Sequence, residues 1–347
     1  MINIKGVGEF FSLDIGTNAI RAVQLSKEGE NSWNLVGLGY VSVDPQIILS
    51  DSEESRRKLG EIITAMIGQS DIKAKNVAIS LSSQKTYTTI VDVPARDEKE
   101  LKQTMEYQLD QHIPMAMDDA KADWVALGQS QDKPDTMEVL IASTAKSYSE
   151  GQLEFIENIG FNVIAAEPDS ISMTRSLESL SDVAQLIVDF GENSADISLV
   201  YNGAPRLVRT VPIGLGTLVK SAVQNLNIKE DQARQFILKF GLAQDKLDAQ
   251  VFRAIESNLE NFVQELTKSI KFFSTKYPQV PVSVISLSGY AGIIPQLVEY
   301  VASKTGVQTG SVNPFRRVNV PAKYQQTVAT VGNEFAVAVG LAERVEK

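Results

Sequence analysis

Leu13-Asp14-Ile15-Gly16-Thr17-Asn18, near the start of the chain, is echoed past its midpoint by Val188-Asp189-Phe190-Gly191-Glu192-Asn193. Both stretches read apolar-Asp-apolar-Gly-x-Asn. A β-rich run precedes each aspartate and another follows it, Ile20 to Leu25 and Ile197 to Tyr201. Each copy therefore predicts a hairpin, with Gly-x-Asn supplying a positive-φ turn. An aspartate at the end of a buried strand, followed by glycine and small polar residues, sets a carboxylate beside backbone N–H groups that receive phosphate oxygens. Such a carboxylate suits Mg²⁺, mostly through water, because magnesium keeps much of its hydration shell. One turn of this kind is an ordinary hairpin. Two of them, with a strand-to-helix glycine turn at Ser288-Gly289-Tyr290-Ala291-Gly292, form a set that clamps phosphates twice and approaches a nucleoside once.

Around these turns the chain of 347 residues is long enough for two domains. In the first half, helical spacing of Leu59, Ile62, Ile63, Met66 and Ile67 predicts a helix from about Glu54 that Gly68 ends. Val77 to Leu81 and Tyr87 to Pro94 read as strands, and Asp97 to His112 as a helix stopped by Ile113-Pro114. A smaller unit follows, with strands Ala122 to Gln129 and Met137 to Ser143 around a polar loop, Ser130 to Asp135, and a helix from Tyr148 to Gly160. In the second half Asn202-Gly203 marks another hairpin, and Leu215 to Leu226, Lys229 to Phe240 and Leu247 to Tyr277 carry helical patterns. Val282 to Leu287 is a continuous apolar strand, and helices Ile294 to Thr305 and Phe335 to Val345 complete the chain.

Composition narrows the functions. A hydrophobic fraction of 43% with 22% charged residues is that of a globular protein. A net charge of -10 repels a phosphate backbone and anionic lipid alike, so no nucleic-acid partner is expected. The absence of cysteine excludes disulfides and thiolate metal sites, and a single histidine, His112, excludes an imidazole-rich one. Met1 to Phe11 lacks the apolar run of a secretory signal, and nowhere do eighteen apolar residues run together. These features suit a cytosolic protein, and any membrane association is expected to come through a partner.

Two phosphate hairpins and a nucleoside turn in this order resemble the actin, heat-shock chaperone and sugar-kinase superfamily, and within it the chain resembles the PilM family of type IV pilus assembly proteins along nearly its whole length. The resemblance rests on Leu13 to Thr17, Glu106-Tyr107 to His112-Ile113-Pro114 with Asp123 beyond, Glu167-Pro168, and Val188 to Gly191. It continues in Arg209-Thr210-Val211-Pro212-Ile213-Gly214, Leu287-Ser288-Gly289 and Asn313-Pro314-Phe315. It implies an α/β, actin-like (ribonuclease H-like) two-lobed ATPase fold with a small inserted subdomain in each lobe. The implied boundaries are residues 8–81 plus about 335–347 for the first core lobe, 82–165 for its inserted subdomain and 166–181 for a linker helix. The second core lobe takes 182–225 plus 279–334, with a helical subdomain at 226–278. It also implies ATP and Mg²⁺, with Asp14 and Asp189 facing the metal, Gly16, Thr17 and Asn18 on the β- and γ-phosphates, and Gly191, Glu192 and Asn193 on the phosphates from the other lobe. Gly214, Gly216, Gly289 and Tyr290 stand in the family's glycine turns, with Leu215 and Tyr290 where adjacent glycines are usual. Arg21 stands where lysine is common, to pair with a phosphate or to lie exposed on its strand. The helix that usually offers an Ala-Glu-x-x-Lys pattern to ribose and base reads Ala233-Arg234-Gln235-Phe236-Ile237, so those acidic and basic contacts are expected to be absent.

The function so implied is a cytoplasmic ATP-binding adaptor, at most a slow ATPase. It would hold the N-terminal peptide of a PilN-like membrane protein among other platform components, with nucleotide setting lobe closure. The oligomeric state is left open. Two other readings use the same fold. A small-molecule kinase needs a carboxylate base near the γ-phosphate beyond Asp14, Asp189 and Glu192. An FtsA- or MreB-like filament protein of the FtsA type would carry a membrane helix, and the chain ends at Lys347, directly after its closing helix. His112 reads as a helix-end residue, and Phe252, Phe262, Phe272 and Phe273 as core.

Overall fold

The computed structural model describes residues 8–95, 97–130, 133–179 and 183–344. Parts of four expected segments lie outside the described residues: 1–7 of the N-terminal reading, 131–132 of the polar loop, 180–181 of the linker helix and 345–347 of the closing helix. The chain divides into two compact units. One comprises Met1–Ser176, Arg317–Ala329 and Val337–Lys347; the other comprises Leu177–Arg316 and Thr330–Ala336.

The first unit is built on a six-stranded sheet, ordered Val318–Asn319, Trp33–Ser42, Ala19–Lys27, Phe10–Ile15, Asn76–Leu81, Asn162–Pro168. Phe10–Ile15, Ala19–Lys27 and Trp33–Ser42 form an antiparallel meander, whereas Phe10–Ile15, Asn76–Leu81 and Asn162–Pro168 run parallel, as does Val318–Asn319 beside Trp33–Ser42. Phe11, Ser12, Leu13 and Asp14 are all buried, as expected of a central strand covered on both faces. The helix Glu53–Gln69 starts where the Ser52 hydroxyl accepts from the Ser55 N–H and Glu53 and Glu54 face the helix dipole. It runs through Gly68 and ends on Ser70, because a glycine at ordinary helical angles does not by itself stop a helix. Its Leu59, Ile63, Met66 and Ile67 meet Phe11, Ile20 and Val77 in one core.

A separate antiparallel sheet, Thr86–Pro94, Thr136–Ala145 and Ala120–Gln129, has Thr136–Ala145 at its centre. The helix Glu98–Gln108, capped by Asp97, lays Leu101 and Met105 on Met137, Val139 and Ile141. It closes in a 3₁₀ turn, Leu109–His112, before Ile113 turns extended ahead of Pro114. The span 82–165 contributes to two cores. The helix expected at Tyr148 to Gly160 runs Lys146–Asn158 and buries Phe155 and Ile156 in the core of the six-stranded sheet, to which the strand Asn162–Pro168 also belongs. Apolar spacing locates that helix but not the core that receives it.

The second unit repeats the plan. Its sheet runs Ala204–Val211, Ala195–Tyr201, Ala184–Phe190, Val282–Gly289, Gln308–Ser311, again an antiparallel hairpin set followed by parallel strands. Asn202 and Gly203 form their hairpin at φ 52 and 68. Helices Leu215–Leu226, Glu230–Phe240 and Gln250–Lys276 share one core with this sheet. On the longest helix Phe262 and Phe273 are buried, but Phe272, one step off that stripe, is 58% exposed, which corrects its expected core position. The helix after Val282–Gly289 begins at Leu297 rather than Ile294, behind a 3₁₀ turn Tyr290–Gly292.

Glu167-Pro168 closes a strand, and the helix that follows is Asp169–Leu177. Residues 317–329 fall in the first unit, where Val318–Asn319 pairs with Trp33-Asn34. Phe335 falls in the second unit, and the closing helix is Ala336–Ala342.

Candidate nucleotide site

The two hairpin turns are closed by the same bond: the Gly16 N–H donates to the Ala19 carbonyl at 3.0 Å, and the Gly191 N–H to the Ser194 carbonyl at 2.9 Å. Strand pairing sets Asp14 opposite Arg21 and Asp189 opposite Asp196, seven residues on in each case. The sequence echo is therefore an echo of register. Neither turn uses positive φ, contrary to expectation. Glycine at Gly16 leaves room for Arg21 as it lies, since a Cβ there would stand 2.7 Å from Arg21 Nη1 and 3.1 Å from the Ala19 carbonyl.

In the first unit Asp14 is buried at 7% exposure, where the Ser80 hydroxyl donates to its Oδ1 at 2.8 Å and Arg21 Nη1 to its Oδ2 at 3.3 Å. Arg21 is itself 7% exposed and also reaches the Ala19 carbonyl, so it lies under the turn rather than exposed on the strand. Thr17 and Asn18 form the half-buried tip, fixed where the Val43 N–H donates to the Asn18 carbonyl. Ser80 was not legible as a partner of Asp14. Its only signal is its place at the end of a strand parallel to that of Asp14, which strand order alone reveals.

In the second unit the expected residues converge. The Leu215 N–H donates to the Gly191 carbonyl at 3.0 Å and the Gly216 N–H to that of Glu192 at 2.8 Å, seating the helix Leu215–Leu226 on the turn. A Cβ at Gly214 would stand 2.5 Å from the Glu192 carbonyl, so only glycine permits this approach. Gly289 pairs with Phe190 beside Asp189, at φ 62 and ψ -146, and Tyr290 opens the turn that follows. Asn193 is the exposed tip of the hairpin. Gly289→Ala would bring a methyl within 2.6 Å of Asp189 Oδ1, and we expect it to cost roughly 1–3 kcal/mol, read as a lowered urea midpoint of the second unit.

Arg234 takes its partner on the hairpin turn. It forms a bidentate pair with Glu192, Nη1 donating to Oε2 at 3.0 Å and Nη2 to Oε1. That hydrogen-bonded carboxylate raises the Arg234 pKa above its ordinary value, against the pull of burial. The helix Glu230–Phe240 is tied to the hairpin turn by this arginine, while Ala233 and Ile237 turn into the core. Glu192 is engaged by this arginine, so its expected place on a phosphate is taken in this arrangement by an ion pair.

The glycine-lined turns leave space for phosphate groups, and the aspartate at the end of each central strand suits a magnesium ion that keeps most of its water. No group of three or more His, Cys, Asp or Glu side chains able to hold a metal directly occurs among the described residues.

Comparison with known proteins bears on this arrangement. The family model described as "Type IV pilus assembly protein PilM" matches residues 12–346. The chain belongs to the PilM family. Among solved structures, a "PilM-PilN type IV pilus biogenesis complex" is similar at a TM-score of 0.80 and 22% identity, over 96% of this chain and 98% of that one. The ethanolamine utilization protein EutJ from Carboxydothermus hydrogenoformans is similar at 0.56 and 13% identity, over 99% and 92%. MreB5 of Spiroplasma citri bound to ADP is similar at 0.55 and 10% identity, over 96% and 95%. The fold of this PilM-family chain is accordingly the actin-like ATPase fold. Among the described residues no helix is long and apolar enough to cross a membrane.

Proposed function

We propose that the chain is a nucleotide-binding adaptor of a type IV pilus assembly platform, which binds ATP with Mg²⁺ through its two hairpins and holds the cytoplasmic N-terminal peptide of a PilN-like inner-membrane protein. The observation that carries this reading is the family match over residues 12–346, together with two hairpins of identical turn bonding. Asp14 and Asp189 would hold the hydrated metal, which screens the phosphate charge when bound. Thr17, Asn18 and Asn193 would offer backbone N–H groups to the phosphates, with Gly16 and Gly191, whose own N–H groups close the turns, and Gly214, Gly216, Gly289 and Tyr290 shaping the walls. Arg21, already beneath Asp14, would neutralise that carboxylate before any phosphate arrives. An MreB5 structure of the same fold is a complex with AMPPNP, which supports a nucleotide here. The outer strands Thr86–Pro94 and Ala120–Gln129 of the small sheet leave edges to which an extended peptide can add. Fractionation with the inner membrane then depends on the partner. Fluorescence anisotropy with a labelled N-terminal peptide of the PilN-like protein should show saturable binding; binding that required the partner's membrane segment instead would overturn the adaptor reading.

A further inference from the structure

The helix Glu98–Gln108 buries one face on the small sheet and leaves a groove of about 530 Å³ beside it, lined by Met105, Tyr107, Leu109, Met117 and Trp124. Tyr107, 81% exposed, is the most exposed large hydrophobic side chain among the described residues, and Met117, 43% exposed, converges on the same groove. Isolated exposed apolar residues need no explanation, but an aromatic and a methionine converging on one apolar trough mark a contact surface. The rim is acidic. Glu106 and Asp110 line it against a single cation, Lys102, and Asp118 and Asp119 follow Met117 on the next turn. Among the described residues no ion pair engages Glu106, Asp110, Asp118 or Asp119. An apolar floor ringed by uncompensated carboxylates favours an occupant with the opposite pattern.

We propose that this groove docks a cationic amphipathic segment of a partner protein, its apolar side chains on Tyr107, Met117 and Trp124 and its lysines or arginines on Glu106 and Asp110. Methionine and aromatic side chains can repack around such a segment, while the acidic rim sets its orientation and rejects acidic competitors. The surface extends the adaptor reading without resting on it, since it lies away from both hairpin turns in sequence and needs no nucleotide.

Trp124 is one of two tryptophans in the chain, so Trp33→Phe leaves it as the sole reporter. A short leucine/lysine amphipathic peptide titrated into this variant without nucleotide, at physiological ionic strength, should give a saturable shift in Trp124 emission. Its leucine/glutamate counterpart should give none. Glu106→Lys with Asp110→Lys, and separately Tyr107→Ser with Met117→Ser, should each weaken binding roughly tenfold or more at an unchanged melting temperature. Absence of a saturable shift with the lysine peptide, an equal response to both peptides, or a response untouched by the paired variants would each overturn the proposal. None of these outcomes depends on ATP binding, so failure here and failure of the nucleotide reading are read separately.

Discussion

Glu167→Ala should lower the stability of the first unit by about 3–5 kcal/mol, the range for breaking a buried ion pair by removing one partner. Glu167 is 5% exposed and accepts from the Ser172 hydroxyl at 2.7 Å, from Arg175 Nη1 and Nη2 at 2.7 and 3.2 Å, and from Arg344 Nη1 at 2.6 Å. It joins a strand end, the helix after it and the chain beyond the closing helix, so its loss removes this carboxylate from the buried guanidinium of Arg344 and the half-buried one of Arg175. Burial alone would raise its pKa. Arg175 and Arg344, with the Ser172 hydroxyl, overcome that and hold the carboxyl below its ordinary value of 4.5. With a depressed folded pKa, its stabilisation is fully present above the ordinary carboxylate range and is lost as pH falls through the folded value. Glu167→Gln should therefore be less stable at neutral pH and show a shallower acid slope. Chemical denaturation of both variants from neutral pH down to the acid range measures the two effects together.

Gly340→Ala should destabilise the same unit by roughly 1–3 kcal/mol, although alanine is about 1 kcal/mol the better helix former. The closing helix crosses the helix Asp169–Leu177 at this residue, and a Cβ would collide with the Ser172 carbonyl oxygen and lie 2.6 Å from its carbon, backbone that cannot step aside. The Gly340 carbonyl also accepts from Arg175 Nη1 at 2.5 Å, so displacement of the helix would loosen the Glu167 network too. Gly68→Ala, in the helix Glu53–Gln69 with nothing within 4 Å of a Cβ, is the matched control and should be neutral or slightly stabilising. Opposite signs at two helical glycines in thermal unfolding separate packing from propensity.

Much of the architecture was legible because local patterns coincided with it. The repeated apolar-Asp-apolar-Gly motif marks two central strands, and the Asn-Gly turn, the Ile-Pro break and the stripe from Leu59 to Ile67 each specify an element by local chemistry. What was not legible depends on long-range partners. Phe155 and Ile156 look alike whether they face the small sheet or the large one, and Val318-Asn319 is too short to announce itself as a strand. At the site, the glycines and aspartates stood out by type, whereas Ser80 under Asp14 and Arg234 on Glu192 are pairings between distant segments that no local pattern encodes.

The measurement that bears most directly on the central claim is calorimetric titration of the protein with ATP and Mg²⁺, beside Asp14→Ala and Asp189→Ala. We expect saturable binding that is lost or weakened at least about tenfold in each variant, because the proposed function gives Asp14 and Asp189 each a role in holding the hydrated metal. Absence of binding in the native protein, or binding unchanged in both variants, would contradict the nucleotide reading and leave the actin-like fold as a scaffold for the partner peptide alone.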